Sequence, residues 1–186
     1  METSHKTLRS VPELVRAGLV APADAHALSA VAGRYAVAVT PDMVALIDAA
    51  RADDPIGGQF LPDARELQTG PEELADPLGE EALSPVPGLV HRYPDRVLLK
   101  LTHTCPVYCR FCFRRETVGP GGAPPLGGTA LDEAVAYIAE RPQIWEVILT
   151  GGDPLVLPPR RLGEVTRRLE KIPHVQELRW HTRVPE

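Results

Sequence analysis

The chain has no long apolar run, few cysteines, few aromatic residues and no excess of positive charge, and each shortage excludes something. No stretch of its 186 residues approaches the roughly 20 apolar residues that span a bilayer, so no membrane partner is expected. The opening, Met1 to Ser10, is polar and lacks the apolar core of a secretory signal, which points to a cytoplasmic location. Three cysteines cannot all pair, which argues against a disulfide-stapled fold and leaves them as free thiols or ligands. With 20 Lys plus Arg against 25 Asp plus Glu, the net charge is -5, and nothing global favours nucleic acid. Any phosphate binding must therefore be local. What is present is an ordinary globular composition, 44% hydrophobic and 24% charged, at a length that suits one domain with a real core.

The texture of the chain changes twice. From Val11 to Ala50 apolar residues recur at helical spacing, as in Leu14, Val15 and Leu19 and again in Met43, Val44, Leu46 and Ile47. Pro12, Pro22 and Pro41 stand where helices start, the last after Thr40 as a cap, so three short helices are expected in an N-terminal appendage over residues 1–52. Over residues 53–94, Asp53-Asp54-Pro55, Gly57-Gly58, Pro62, Pro71, Asp76-Pro77 and Ser84-Pro85-Val86-Pro87-Gly88 break every long period and predict an extended connector. Ile56, Phe60, Leu61, Leu67 and Leu74 are scattered through it, as in a segment that wraps a domain. Residues 95–186 are regular. Val97–Leu101 and Glu146–Thr150 read as buried strands and Val175–His181 as a third. A helix capped by Thr129 and stopped before Pro142, and another over Arg160–Lys171, lie between them. Strand, helix, strand, helix, strand predicts parallel pairing, the start of a (β/α) barrel or of an open doubly wound sheet.

All three cysteines, Cys105, Cys109 and Cys112, fall in one eight-residue segment after the first of these strands, spaced C-x3-C-x2-C. Thiolates at this spacing can converge on one metal centre and leave one coordination position without a ligand from the segment. An iron-sulfur cluster with an open iron, a zinc site closed by the nearby His103, and three unrelated structural thiols are the alternatives. Three of the nine aromatic residues, Tyr108, Phe111 and Phe113, lie in or beside this loop, where they can exclude water and offer a flat surface to a base. Gly151-Gly152-Asp153-Pro154 closes the second strand, at the strand end where barrel enzymes place ligands; taken alone it is also an ordinary tight turn.

C-x3-C-x-aromatic-C after a first strand resembles the cluster-binding signature of the radical S-adenosylmethionine (SAM) superfamily. The run His91-Arg92-Tyr93-Pro94-Asp95-Arg96-Val97, continuing through Thr104-Cys105-Pro106-Val107-Tyr108-Cys109-Arg110-Phe111-Cys112-Phe113-Arg114-Arg115, closely resembles the lysine 2,3-aminomutase family. Ser84–Gly88, Leu149–Leu155 and His181–Pro185 extend the likeness, which reaches from Thr40-Pro41 to the last residue. The resemblance implies an α/β fold, a partial (β/α) TIM-like barrel behind a helical and extended appendage. It implies that Cys105, Cys109 and Cys112 hold a 4Fe-4S cluster whose open iron binds SAM, which on reduction yields a 5'-deoxyadenosyl radical. It places Phe111 near the SAM adenine and Gly151, Gly152 and Asp153 at the SAM amino group. It implies pyridoxal 5'-phosphate (PLP), with Arg92 and Arg96 near its phosphate, and Arg114 paired with the substrate carboxylate. Arg110, Arg115 and Arg183 are further lining candidates. The reaction implied is an isomerisation of L-lysine that moves its amino group from C2 to C3, either on free lysine or on the pathway that modifies a translation factor. Flavodoxin or ferredoxin as electron donor and a homo-oligomer are the partners implied.

One departure from the family bears on activity. The family's PLP-anchoring lysine and the acids that hold the substrate's far amine fall beyond the third strand, and neither Lys100 nor Lys171 lies in a matching motif. The catalytic lysine is therefore unassigned. The expectation is a chain that stops partway through a barrel, with a noncatalytic fragment or a structural metal-binding module as the alternative.

Overall fold

The computed structural model describes residues 6–122 and 124–184. The chain divides into two compact units, one of Met1–Pro77 with Pro106–Pro120, the other of Leu78–Cys105 with Gly121–Glu186. Among the described residues no helix is long and apolar enough to cross a membrane.

The first unit is helical. Helices α1 (Val11–Arg16), α2 (Ala25–Arg34) and α3 (Pro41–Leu46) fall where the apolar periodicity predicts three, and the single turn α4 (Gly57–Phe60) follows. Proline occupies the first turn of α1 and α3, where its missing N–H costs nothing, and the Thr40 hydroxyl accepts the Met43 N–H at 3.4 Å as the expected cap. Leu8, Leu14, Val37, Val39, Ile47 and Phe60 form the core of this unit, and Val107 and Cys109 pack against it.

The second unit holds a four-stranded sheet in the order β1 (Leu89–Tyr93), β2 (Arg96–Thr102), β3 (Glu146–Gly151), β4 (Glu177–Trp180). β2, β3 and β4 run parallel, as the alternation of elements predicts, and the connecting helices are α5 (Gly128–Ala139) and α6 (Pro159–Leu169). This is the mixed α/β architecture expected of a partial barrel. β1 is an addition: it pairs antiparallel with β2 across the Pro94-Asp95 turn, inside the stretch expected to be an extended connector. Only Leu89 and Val90 of it are buried, too short an apolar signal to stand out among the prolines. Thr129 is not a cap, because α5 starts at Gly128 with Gly127 as its N-cap.

The pleat sorts the sheet into two faces. Val97, Leu99, Leu101, Val147 and Leu149 pack with Leu131, Ala134 and Ile138 of α5 and Val165 and Leu169 of α6 in one continuous core. The opposite face carries Arg96, Lys100, Glu146, Thr150, Glu177 and Arg179, with Leu98 and Ile148 between them, in register across the three parallel strands. One wholly apolar face and one that carries the charged residues specify the register, since a slip of one residue would exchange them. Ile138 is fully buried, so Ile138→Val is expected to cost about 1 kcal/mol in urea unfolding.

Candidate functional site

The ends of β2 and β3 are joined backbone to backbone. The Gly152 N–H donates to the Thr102 carbonyl at 2.6 Å and the Asp153 N–H to the Thr104 carbonyl at 2.9 Å, while the Thr102 hydroxyl accepts the Thr104 N–H at 3.1 Å. Gly151 has φ +111°, and a Cβ there would meet the Thr102 carbonyl; one at Gly152 would meet the Thr104 carbonyl and lie 2.7 Å from the Thr104 nitrogen. Both glycines are thus required by the approach of one strand end to the other, which is more than a tight turn asks of them. Asp153 is buried and both oxygens of its carboxylate accept from protein donors. Oδ1 accepts the Leu155 N–H at 3.0 Å and the Thr182 hydroxyl at 2.7 Å, and Oδ2 accepts the Arg183 N–H at 2.7 Å. It therefore ties the Gly-Gly-Asp-Pro turn to the segment after β4. Pro185 of that last motif lies outside the described residues.

Cys105 follows Thr104 in the second unit, and Cys109 and Cys112 belong to the first. None of the three is in a disulfide, and each is of intermediate exposure. The Cys112 N–H donates to the Cys109 carbonyl at 3.2 Å, a turn that carries Phe111 outward with 64% of its surface exposed. Phe113 is also exposed, and the Arg114 guanidinium lies over its ring at 4.5 Å. Phe111, Cys112, Phe113, Arg115, Glu73 and Arg34 are among the residues lining an open cavity of about 600 Å³ within the first unit. Among the described residues, no three His, Cys, Asp or Glu side chains are grouped so that one metal ion could take them all.

Arg92 and Arg96 stand elsewhere. Arg92 is near the end of β1, and Arg96 opens β2, six residues before Thr102, or roughly 20 Å along the strand from the end that runs into Cys105. Arg92 is exposed and donates to the Leu78 carbonyl. Arg96 grips the Asp95 carboxylate through Nε at 3.0 Å and Nη2 at 2.9 Å, and its Nη1 reaches Glu146 at 3.3 Å. Glu146, with no exposed surface, also pairs with Arg179 at 2.7 Å. Lys100 is ion-paired with Glu80 at 3.4 Å.

The Arg96 hydrogen bonds outweigh partial burial and, with the Trp145 N–H, hold the Asp95 carboxyl down at about 2. A depressed carboxyl stabilises the fold above its unfolded value near 4 and loses that contribution as pH falls from about 4 to about 2. The stability difference between wild type and Asp95→Asn, read from urea midpoints, is therefore expected to shrink across that window and to stay constant from pH 5 to 7.

Two partners in this region escaped the sequence reading. Glu146 sits in a strand of otherwise apolar and small residues, and nothing local announces its arginines. Glu66 pairs with Arg110 in the cysteine loop at 2.6 Å. The visible signal there was Asp63-x-x-Glu66, a capping box that the structure contains.

Residues 99–185 match the radical SAM superfamily. The radical SAM segment contains the cysteine loop, the joined ends of β2 and β3, and the link from Asp153 to Thr182 and Arg183. The likeness to curated proteins runs further. The chain is 38% identical over 178 residues to the L-lysine 2,3-aminomutase of Acetoanaerobium sticklandii, covering 96% of this chain and 43% of that protein. It is 43% identical over 150 residues to the L-lysine 2,3-aminomutase of Clostridium subterminale, covering 80% and 36%. It is 37% identical over 146 residues to the glutamate 2,3-aminomutase of Clostridioides difficile, covering 78% and 34%. The chain thus spans less than half the length of each of these relatives. A match to the radical SAM superfamily points to a 4Fe-4S cluster and SAM. The donor chemistry suits the cluster, since three thiols outside any disulfide form a soft set, while Gly151 and Gly152 are taken up by the close approach of the Thr102 and Thr104 backbone.

Proposed function

We propose that this chain supplies the cluster-binding and SAM-binding part of a radical SAM aminomutase, with Cys105, Cys109 and Cys112 as the cluster ligands. The observation that carries the reading is the join of Gly151-Gly152-Asp153 to the strand end that runs into Cys105. It supports a site in which the motif next to SAM and the first cluster ligand share one rigid backbone. When bound, the cluster and SAM supply hydrogen-abstracting radical chemistry and PLP supplies stabilisation of the substrate radical.

The chain's own residues then bind and position. Gly151 and Gly152 set their backbone at the amino group of SAM, and Asp153 acts by fixing the shape of that loop, since its oxygens are taken by protein donors. Phe111 offers its exposed ring to the adenine. Arg114, its guanidinium plane set by Phe113, pairs with the substrate carboxylate, and Arg92 and Arg96 meet the PLP phosphate. For Arg96 this role requires its guanidinium to exchange the carboxylates of Asp95 and Glu146 for the phosphate. The substrate proposed is L-lysine, with migration of the amino group from C2 to C3 and a flavodoxin or ferredoxin as electron source.

Anaerobic reconstitution of the chain with iron and sulfide tests the reading. About four irons per chain, with cleavage of SAM to 5'-deoxyadenosine on reduction, is the expected result. Retention of a single zinc and no 5'-deoxyadenosine would overturn it in favour of a structural metal module.

A further inference from the structure

Residues 108–119 are gripped from several sides by a part of the first unit that lies outside the radical SAM segment. Arg110 is the centre of the grip. Its side chain is 8% exposed and that of its partner Glu66 11%, and the two meet through a pair of bonds, Nη2 to Oε2 at 2.6 Å and Nε to Oε1 at 3.0 Å. Nη1 of the same guanidinium donates to the Ala36 carbonyl at 2.8 Å, and the Arg110 backbone N–H donates to the Gln59 carbonyl at 2.7 Å. Glu66 is itself held, because Oε1 also accepts the Asp63 N–H at 2.8 Å. Two further contacts flank the pair. The Tyr108 N–H donates to the Ala38 carbonyl at 3.3 Å, and Glu116 accepts the Tyr35 hydroxyl at 3.0 Å and Arg34 at 2.9 Å.

Arg110 is the residue between Cys109 and Phe111, so whatever fixes its backbone fixes the spacing of the two cysteines around it. A two-toothed guanidinium–carboxylate pair fixes distance and plane together, and a buried one cannot drift without leaving a charge uncompensated. We propose that Glu66 is a positioning residue for the cluster loop, acting through Arg110 to hold Cys109 and Cys112 ready for metal before any metal arrives. Its role beside a cluster rests on the function proposed above, but the grip itself can be read on the metal-free chain.

The experiment follows the alkylation of each thiol by iodoacetamide in the metal-free full chain, resolved by peptide mass spectrometry, for wild type, Glu66→Gln and Arg110→Lys. Glu66→Gln removes the charge and keeps the shape; Arg110→Lys keeps the charge and removes the two-toothed geometry. Both are expected to speed modification of Cys109 and Cys112 at least tenfold while Cys105, on the strand side of the unit boundary, changes less than twofold. Equal acceleration of all three thiols would mean general unfolding and would overturn the proposal, as would no change at any of them. Iron uptake, measured separately on the same proteins, then reports on the cluster: a chain with a selective thiol response and no iron in the wild type would refute the cluster and leave the grip standing.

Discussion

Serine at any one of Cys105, Cys109 or Cys112 is expected to reduce iron bound after anaerobic reconstitution from about four per chain to a small fraction of that. A serine hydroxyl stays protonated near neutral pH and is a hard donor where soft thiolates are needed, and two remaining sulfurs do not hold a cubane against hydrolysis. SAM cleavage on reduction should be lost to the same extent. The three variants are expected to separate by stability. Cys109 packs on the apolar core of the first unit, so Cys109→Ser brings a hydroxyl to that surface and is expected to cost about 1–2 kcal/mol in urea unfolding. Cys105 and Cys112 are not named in either core cluster among the described residues, so their serine variants are expected to lose less stability than Cys109→Ser. Unchanged iron content in all three variants would remove the cysteine loop from the site.

The second large effect is expected at Gly152. Alanine there would put a methyl carbon against the Thr104 carbonyl and within 2.7 Å of the Thr104 nitrogen, and both obstacles are backbone. Neither can rotate away, so β2 and β3 must separate at their ends or the Gly152–Thr102 and Asp153–Thr104 hydrogen bonds must break. Gly152→Ala is expected to lose about 3 kcal/mol or more, with SAM affinity falling by at least tenfold as the strand end that leads to Cys105 shifts. Gly163→Ala is the useful contrast. Gly163 lies within α6, and an added Cβ meets only the movable tip of Arg167 at 3.1 Å, so helix propensity should dominate and stabilise by up to about 1 kcal/mol. If both substitutions lower stability equally, crowding at the strand ends is not what selects Gly152.

Much of this was legible from residue order. The buried strands announced themselves as short apolar runs, the parallel sheet followed from their alternation with helices, and the cysteine loop followed from three thiols in eight residues. β1 was not legible, because a strand with two buried residues gives no period. The tasks of Asp153 were hidden for another reason. Gly-Gly-Asp-Pro is ordinary turn chemistry, and only the fold shows that the carboxylate reaches Thr182 and Arg183, about thirty residues away. Glu66 and Arg110 were individually visible, yet pairing across 44 residues has no local pattern to betray it. Charge partners, unlike apolar faces, carry no periodicity.

The first unit is discontinuous in the chain, and this has a consequence for synthesis and folding. Its helices come from residues up to 77, but its core takes Val107 and Cys109 from the later segment, and its last tie, from Glu116 to Arg34 and Tyr35, is made some 80 residues after those partners have left the ribosome. The N-terminal helices are too short to persist alone, so they wait on a sequence-distant closure whose cost falls before its reward. The segment that brings the late closure is the cysteine loop. Completion of the helical unit and ordering of Cys109 and Cys112 are therefore the same event in time, and the nascent chain has no interval in which that unit is finished while its part of the cysteine loop is still loose.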